Sequence, residues 1–99
     1  MLHIVNKSPL ERNTLDSCLA AAQPGAALLL IEDGVYAATR GNAAEAKLRA
    51  ASARMEIYVL APDLEARGMA QAMAEGVKPV DYSGFVELVT QHKNCQSWL

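Results

Sequence analysis

Short apolar runs recur along the chain, and turn-forming residues separate them. The longest run, residues 26–31, is continuous and does not alternate with polar positions. This pattern is typical of a strand that is covered on both faces within a parallel sheet. Shorter apolar runs predict further strands at residues 2–5, 55–60 and 77–80, and the last of these is weak because it contains a proline. Residues 95–99 are interpreted either as one more edge strand or as a docking tail.

Two capping boxes predict where the first helices begin. In such a box a side chain at the helix start and another three residues later bond to each other's backbone N–H groups. Asn13 and Asp16 have this spacing, and apolar residues then recur every three or four positions as far as the Gln-Pro-Gly that ends the helix. Asn42 and Glu45 form the second box and predict an alanine-rich helix that ends near residue 53.

Two further helices follow in the second half of the chain. Pro62 suits the first turn of a short helix that Gly68 closes, and Asp81 caps a helix that runs to about His92. Strands that alternate with helices predict parallel pairing and right-handed crossovers. The expected fold is therefore α/β, a three-layer α/β/α sandwich with a mostly parallel sheet of four to five strands, and a single domain over residues 1–99.

The composition suggests that this core is completed by another subunit. Of the 99 residues, 52% are apolar, and many of these are alanines, which cover little area each. A chain of this length buries only about two-thirds of the surface that its unfolded form exposes. The isolated chain is therefore expected to self-associate or to be unstable.

Charge and cysteine content exclude several classes of function. The net charge is -2 and the nine basic residues are scattered, so direct nucleic-acid binding is not expected. No apolar run approaches the roughly 20 residues needed to cross a membrane, and the N-terminus does not resemble a signal peptide. Two distant cysteines suit a reducing cytoplasm and predict neither a disulfide framework nor a zinc site.

Cys18 is the main candidate for chemistry. A thiol becomes nucleophilic when a helix N-terminus or a nearby cation stabilises its thiolate. Cys18 lies in the second turn of its predicted helix with no basic residue three or four positions away. A buried core cysteine is the simpler interpretation, and activation would require Lys7 or Arg12 to fold back onto it.

The other candidate residues give weaker signals. Cys95 is interpreted as an incidental surface thiol beside Lys93. His3 and His92 are the only histidines, and their spacing supports neither a catalytic triad nor a metal site; His92 instead suits a helix C-terminus. No phosphate-binding loop is present, so no cofactor is predicted.

Two remaining features have two interpretations each. Glu32-Asp33-Gly34 follows the carboxyl end of the buried strand predicted at residues 26–31, and open α/β sheets bind ligands at the carboxyl ends of their strands. It is either a ligand or partner loop, or a turn in which Gly34 has an unusual backbone angle and Asp33 caps the next helix. Trp98 is expected either to insert into the chain's own core or to dock on a partner.

Several sequence blocks resemble the DsrH/TusB family. They span nearly the whole chain in the family's order, and the most specific block is Leu-Leu-Leu-Ile-Glu-Asp-Gly-Val-Tyr-Ala-Ala at residues 28–38. The others are Met1-Leu2-His3 with Asn6-Lys7-Ser8-Pro9, Tyr58-Val59-Leu60 with Asp63-Leu64 and Ala66-Arg67-Gly68, Val80-Asp81-Tyr82 with Phe85-Val86, and Gln96-Ser97-Trp98-Leu99.

The resemblance implies a DsrE/DsrF/DsrH-like fold and a place in a cytoplasmic sulfur-relay heterohexamer. Such complexes contain two copies each of DsrE/TusD-like, DsrF/TusC-like and DsrH/TusB-like subunits and pass persulfide sulfur between cysteines. The main sulfur-carrying cysteine of the family belongs to the DsrE/TusD subunit. DsrH-type members also have a cysteine in the first helix, where Cys18 stands, whereas TusB-type members can lack it.

Within this resemblance, Cys18 and the stretch from Asn6-Lys7-Ser8-Pro9 to Arg12-Asn13 favour a DsrH-like subunit that serves sulfur oxidation, exchanges sulfur with DsrC and uses Cys18 as a persulfide carrier. The alternative is a TusB-like subunit for 2-thiolation of the tRNA wobble uridine, with a TusE-type carrier. In that case the chain is mainly a scaffold for the TusD/DsrE-type active cysteine. In both cases it is a non-catalytic or accessory subunit of a sulfurtransferase complex, and no metal is implied.

Overall fold

The computed structural model describes residues 1–98. These contain five strands, β1 (Leu2–Val5), β2 (Ala27–Leu30), β3 (Glu56–Leu60), β4 (Val77–Val80) and β5 (Cys95–Trp98). Four α-helices alternate with them: α1 (Thr14–Ala21), α2 (Ala44–Ala51), α3 (Ala61–Ala66) and α4 (Tyr82–Gln91). Two 3₁₀ helices cover Glu32–Ala38 and Ala70–Ala72. Among the described residues the predicted elements are all present, within a few residues at their ends. Leu99, the last residue of the predicted segment 95–99, lies outside the described residues.

The strands form one sheet in the order β4-β3-β2-β1-β5, and every neighbouring pair is parallel. The first three connections each lead to the adjacent strand in the same direction across the sheet. The last connection returns across the whole sheet and places β5 beside β1. The chain's final strand is therefore an edge strand, one of the two interpretations that the sequence allowed.

Helices cover the two faces of this sheet unequally. The larger core cluster joins alternate strand residues such as Val5, Leu28 and Val59 to residues of α1, α2, α3 and the first 3₁₀ helix. The smaller cluster joins Leu2 and Leu29, from the opposite face, to α4. The fold therefore has three layers, as predicted, but a single helix of ten residues, α4, forms the third layer.

The central strand explains the continuous apolar run in the sequence. All four residues of β2 are buried, because alternate side chains point into the two different core clusters. By contrast, β4 lies at an edge and accommodates Pro79, whose missing N–H is tolerated there.

The capping predictions have mixed outcomes. Asp81 caps α4 as expected, since its carboxylate accepts a 2.8 Å hydrogen bond from the Gly84 N–H. The first box does not form: Asn13 makes no side-chain cap bond, and Asp16 instead pairs with Lys47 of α2 at 2.7 Å. An ion pair with the adjacent helix thus replaces the local bond that the spacing suggested.

The second box forms in a shifted version. The Asn42 side chain accepts from the Ala44 N–H at 2.7 Å, and Glu45 accepts from the Gly41 N–H at 3.0 Å. Both side chains satisfy backbone donors ahead of α2, as a capping box does, but each bond is displaced by one residue from the ideal pattern. The sequence located this helix start correctly.

Candidate functional site

Cys18 is a core residue of this chain. It lies on the buried side of α1, its side chain has no solvent exposure, and it belongs to the larger core cluster with Leu15 and Ala22. Burial raises the pKa of the Cys18 thiol to about 11, and the positive charge of Arg54 opposes that rise only in part. The thiol is therefore neutral at neutral pH, and this cysteine is a poor nucleophile as it is placed.

The cation that acts on Cys18 is Arg54 rather than Lys7 or Arg12. The Arg54 guanidinium donates hydrogen bonds to the carbonyl oxygens of Leu19 at 2.8 Å and Ala22 at 3.0 Å. It therefore satisfies the free carbonyl groups at the end of α1, where α1 has no basic residue of its own. Arg54 lies far along the chain from α1, so no local sequence spacing predicts that it caps this helix.

The two cysteines do not form a common site. Cys95 is exposed at the start of β5, whereas Cys18 is buried. Trp98 of β5 packs against the cluster that contains Cys18, so the alternate position Cys95 points to the opposite face of the sheet. The sheet separates the two thiols, and sulfur cannot pass directly between them.

The Glu32-Asp33-Gly34 segment is a structural turn that one hydrogen bond and one ion pair connect to α3. The Glu32 N–H donates to the Asp63 carboxylate at 2.7 Å, and Asp33 pairs with Arg67 at 3.0 Å. These bonds tie the carboxyl end of β2 to α3. They support the turn interpretation of the segment over the ligand-loop interpretation.

Two details predicted for this turn were wrong. The left-handed backbone angle belongs to Glu32, with a φ of 49°, and not to Gly34. Asp33 does not cap the helix, because Asp63 bonds the free N–H of Glu32 at this point. Gly34 is needed for a different reason: a Cβ atom there would lie 2.3 Å from the Val5 carbonyl oxygen.

Trp98 docks within its own chain. Its ring packs against the larger core cluster, and its indole Nε1–H donates to Nδ1 of His3 at 3.1 Å. His3 is buried, and burial together with the nearby N-terminal amine lowers its pKa. His92 lies at the C-terminal cap of α4, as the sequence predicted. The part of the chain that the structure describes contains no group of three metal-ligating side chains.

Three of the five large apolar side chains that are exposed in the described part of the chain lie on the outer surface of α4. Tyr82, Val86 and Val89 are 62%, 63% and 39% exposed. Their spacing of four and three residues places them in one stripe along the helix. At about 100° per residue, this stripe lies beside Phe85 and Leu88, which face the sheet. We call it the α4 stripe, and it extends the smaller core cluster to the surface.

Partly buried apolar side chains continue this surface onto the sheet. Ile4, Ile31 and Tyr58 pack against the smaller core cluster but retain some exposure, since α4 alone covers this face. An exposed apolar area of this kind is typical of a protein interaction site.

Comparison with known proteins identifies the family. The model of the family described as DsrH like protein matches residues 7–95. Protein TusB of Pectobacterium parmentieri is 39% identical over 98 residues, which cover 99% of this chain and 100% of that protein. Protein TusB of Escherichia coli O1:K1 / APEC is 36% identical with the same coverage. The chain therefore belongs to the DsrH/TusB family, as the sequence blocks indicated.

Solved structures with low sequence identity have the same fold. The ychN protein from E. coli superposes with a TM-score of 0.80 at 16% identity, over 97% of each chain. A protein of unknown function from Methanobacterium thermoautotrophicum gives a TM-score of 0.71, also at 16% identity, over 97% of this chain and 95% of its own. These likenesses confirm the α/β fold with its parallel sheet. Within residues 1–98, no helix is long and apolar enough to cross a membrane.

Proposed function

We propose that this chain is a TusB-like, mainly structural subunit of a sulfur-relay complex. Its family membership supports a place in such a complex, and its relatives carry the name TusB. The observation that carries the structural role is the burial of Cys18, whose thiol has no exposure and a raised pKa. A sister subunit of the TusD type supplies the sulfur-carrying cysteine in this proposal.

The proposed partners are TusC-like and TusD-like subunits with this same α/β fold. We assign the α4 stripe as the surface that one of them covers. The stripe is apolar, and Glu87 is the only charged residue within α4, so the surface suits an apolar protein face better than an acidic or basic ligand. The complex would be a cytoplasmic heterohexamer that hands sulfur to a TusE-like carrier for 2-thiolation of the tRNA wobble uridine.

A DsrH-like role in sulfur oxidation, with DsrC as the exchange partner, is the second candidate. The sequence favoured it because of Cys18 in the first helix and the stretch from Asn6 to Asn13, and the matching family model bears the DsrH name. The names of the full-length relatives favour the TusB role instead. Genes for DsrC and a dissimilatory sulfite reductase beside this gene would favour oxidation, and their absence would favour tRNA thiolation.

A carrier role for Cys18 would also require movement. A persulfide forms here when a thiolate attacks the outer sulfur of a donor persulfide and the donor's own thiolate leaves, so both the donor and the later acceptor must reach the Cys18 sulfur atom. In this fold α1 would have to lift from the sheet, or a partner would have to displace it, before either reaction. A structural role needs no such movement.

The test is affinity purification of the tagged full-length chain from its native host, followed by mass spectrometry of the bound proteins. We expect related α/β subunits of the TusC and TusD types to co-elute in a fixed ratio. The chain eluting alone as a stable monomer at micromolar concentration would contradict the proposal.

A further inference from the structure

The contact between His3 and Trp98 joins the strands β1 and β5. His3 lies on β1 and Trp98 is the last residue of β5, the strand that pairs with β1 at the sheet edge. The indole Nε1–H donates to His3 Nδ1 at 3.1 Å, and the ring centroids are 6.1 Å apart. We propose that this pair is a pH-sensitive latch that holds the carboxyl-terminal strand on the sheet and releases it on acidification.

The chemistry of the two rings dictates the direction of the switch. An indole N–H can only donate a hydrogen bond, so Nδ1 of His3 must carry a lone pair. The bond therefore requires the neutral imidazole with its proton on Nε2. Protonation places a hydrogen on Nδ1 as well, and two donors then face each other. The latch closes with neutral His3 and opens with charged His3.

Among the described residues, the side chains that line the cavity beside His3 carry no negative charge. The adjoining cavity of about 380 Å³ is lined by uncharged side chains: Met1, Ala21, Gln23, Pro24, Ala26 and Gln96. The N-terminal ammonium group at Met1 repels a second positive charge. Cys18 of α1, in the core cluster against which Trp98 packs, stays a neutral thiol in this range. Protonated His3 would thus be buried without a counter-ion among these described neighbours.

The linkage to stability has a defined sign. The pKa of His3 is lowered in the folded chain, by burial first and by the N-terminal amine second, so the unfolded chain binds the proton more tightly. Stability conferred by neutral His3 is complete above the unfolded value of about 6.5 and declines as the pH falls below it. The loss of stability mainly affects β5, because β5 is a four-residue edge strand that pairs with a neighbouring strand on one side only.

Opening would change the surface of the sheet. Release of β5 exposes the Trp98 ring and frees the backbone N–H and C=O groups of β1 that now pair with β5. An unpaired strand edge is available to another chain. Acidification would therefore expose the edge of β1. This effect does not depend on the α4 stripe or on any sulfur chemistry.

The chain has a single tryptophan, so its fluorescence reports the latch directly. For the full-length chain, titration from about pH 7.5 to about pH 5 is expected to red-shift the Trp98 emission as the indole meets water. Amide hydrogen exchange in β5, corrected for the intrinsic pH dependence, is expected to become roughly fivefold faster relative to β2, as loss of one hydrogen bond predicts.

Two variants test whether protonation of His3 causes these changes. His3→Asn retains a side-chain acceptor but does not titrate in this range, so the red shift and the exchange change should both disappear. His92→Asn removes the other histidine and should leave both intact. A shift that persists in His3→Asn, or an indole N–H resonance that shows no change between the two pH values in the wild-type chain, would overturn the latch.

Discussion

Replacing Gly34 with alanine is expected to destabilise the chain by about 3 kcal/mol, at the upper end of the range for overpacking. The new Cβ atom would lie 2.3 Å from the Val5 carbonyl oxygen and 3.0 Å from its carbon. These are backbone atoms and cannot rotate away. The same oxygen accepts the 3.0 Å hydrogen bond from the Ile31 N–H, so moving it also weakens the β1–β2 connection.

Gly25→Ala is the matched control for this substitution. Gly25 has a φ of +87°, but a Cβ atom there would have no other atom within 4 Å, so alanine meets only backbone strain of about 1 kcal/mol. Chemical denaturation of both variants at one protein concentration measures the difference. Equal free energies of unfolding for the two variants would show that the close approach at Gly34 is unimportant.

Replacing Val86 with glutamate is expected to weaken binding to the sister subunit roughly 100-fold, about 3 kcal/mol, without unfolding the chain. Val86 is 63% exposed and lies between Tyr82 and Val89 in the α4 stripe. The chain alone tolerates a charge at an exposed position, and glutamate is a good helix former. In the assembled complex the same carboxylate would be buried against an apolar surface without a counter-ion.

Gln91→Glu is the matched control, because it adds the same negative charge to the same helix outside the α4 stripe. Gln91 is exposed and lies about 140° around the helix from Val86, away from the α4 stripe. Circular dichroism should show both variants folded, and co-purification with the partner subunits should fail only for Val86→Glu. If both variants retain their partners equally, the α4 stripe is not the docking surface.

Local sequence patterns predicted the elements well because the relevant physics is local. The continuous run at residues 26–31 indicated a doubly covered strand, and β2 is buried on both faces. Asp81 was identified as a cap from its position alone, and it bonds the Gly84 N–H. In each case the residues that interact are neighbours in the chain or share one strand.

Contacts between residues that are distant along the chain could not be predicted from local sequence patterns. Asp16 pairs with Lys47, and Arg54 caps α1, across separations of 31 to 35 residues. The need for Gly34 arises from its approach to Val5, which only the folded sheet creates. A positive backbone angle at Glu32 is equally unexpected from local rules, since glycine was two residues away.

The preference for DsrH over TusB depended on Cys18 and on the stretch from Asn6 to Asn13. A cysteine in the first helix was interpreted as a mark of the DsrH branch, but packing explains the same residue. Cys18 fills the core between α1 and the sheet, where a small apolar side chain suffices. Similarity over the whole chain, at 36–39% identity to proteins named TusB, is the broader observation.

The most direct test of the structural role is sulfur loading of the purified complex with Cys18→Ala in place of the wild-type chain. Alanine avoids burying an unpaired hydroxyl, and Cys95→Ala serves as the control for a thiol on the other face. With a persulfide donor and mass spectrometry of each subunit, we predict unchanged loading in both variants and no added sulfur on Cys18 in the wild type. A persulfide on Cys18, together with lost transfer in Cys18→Ala, would contradict the account.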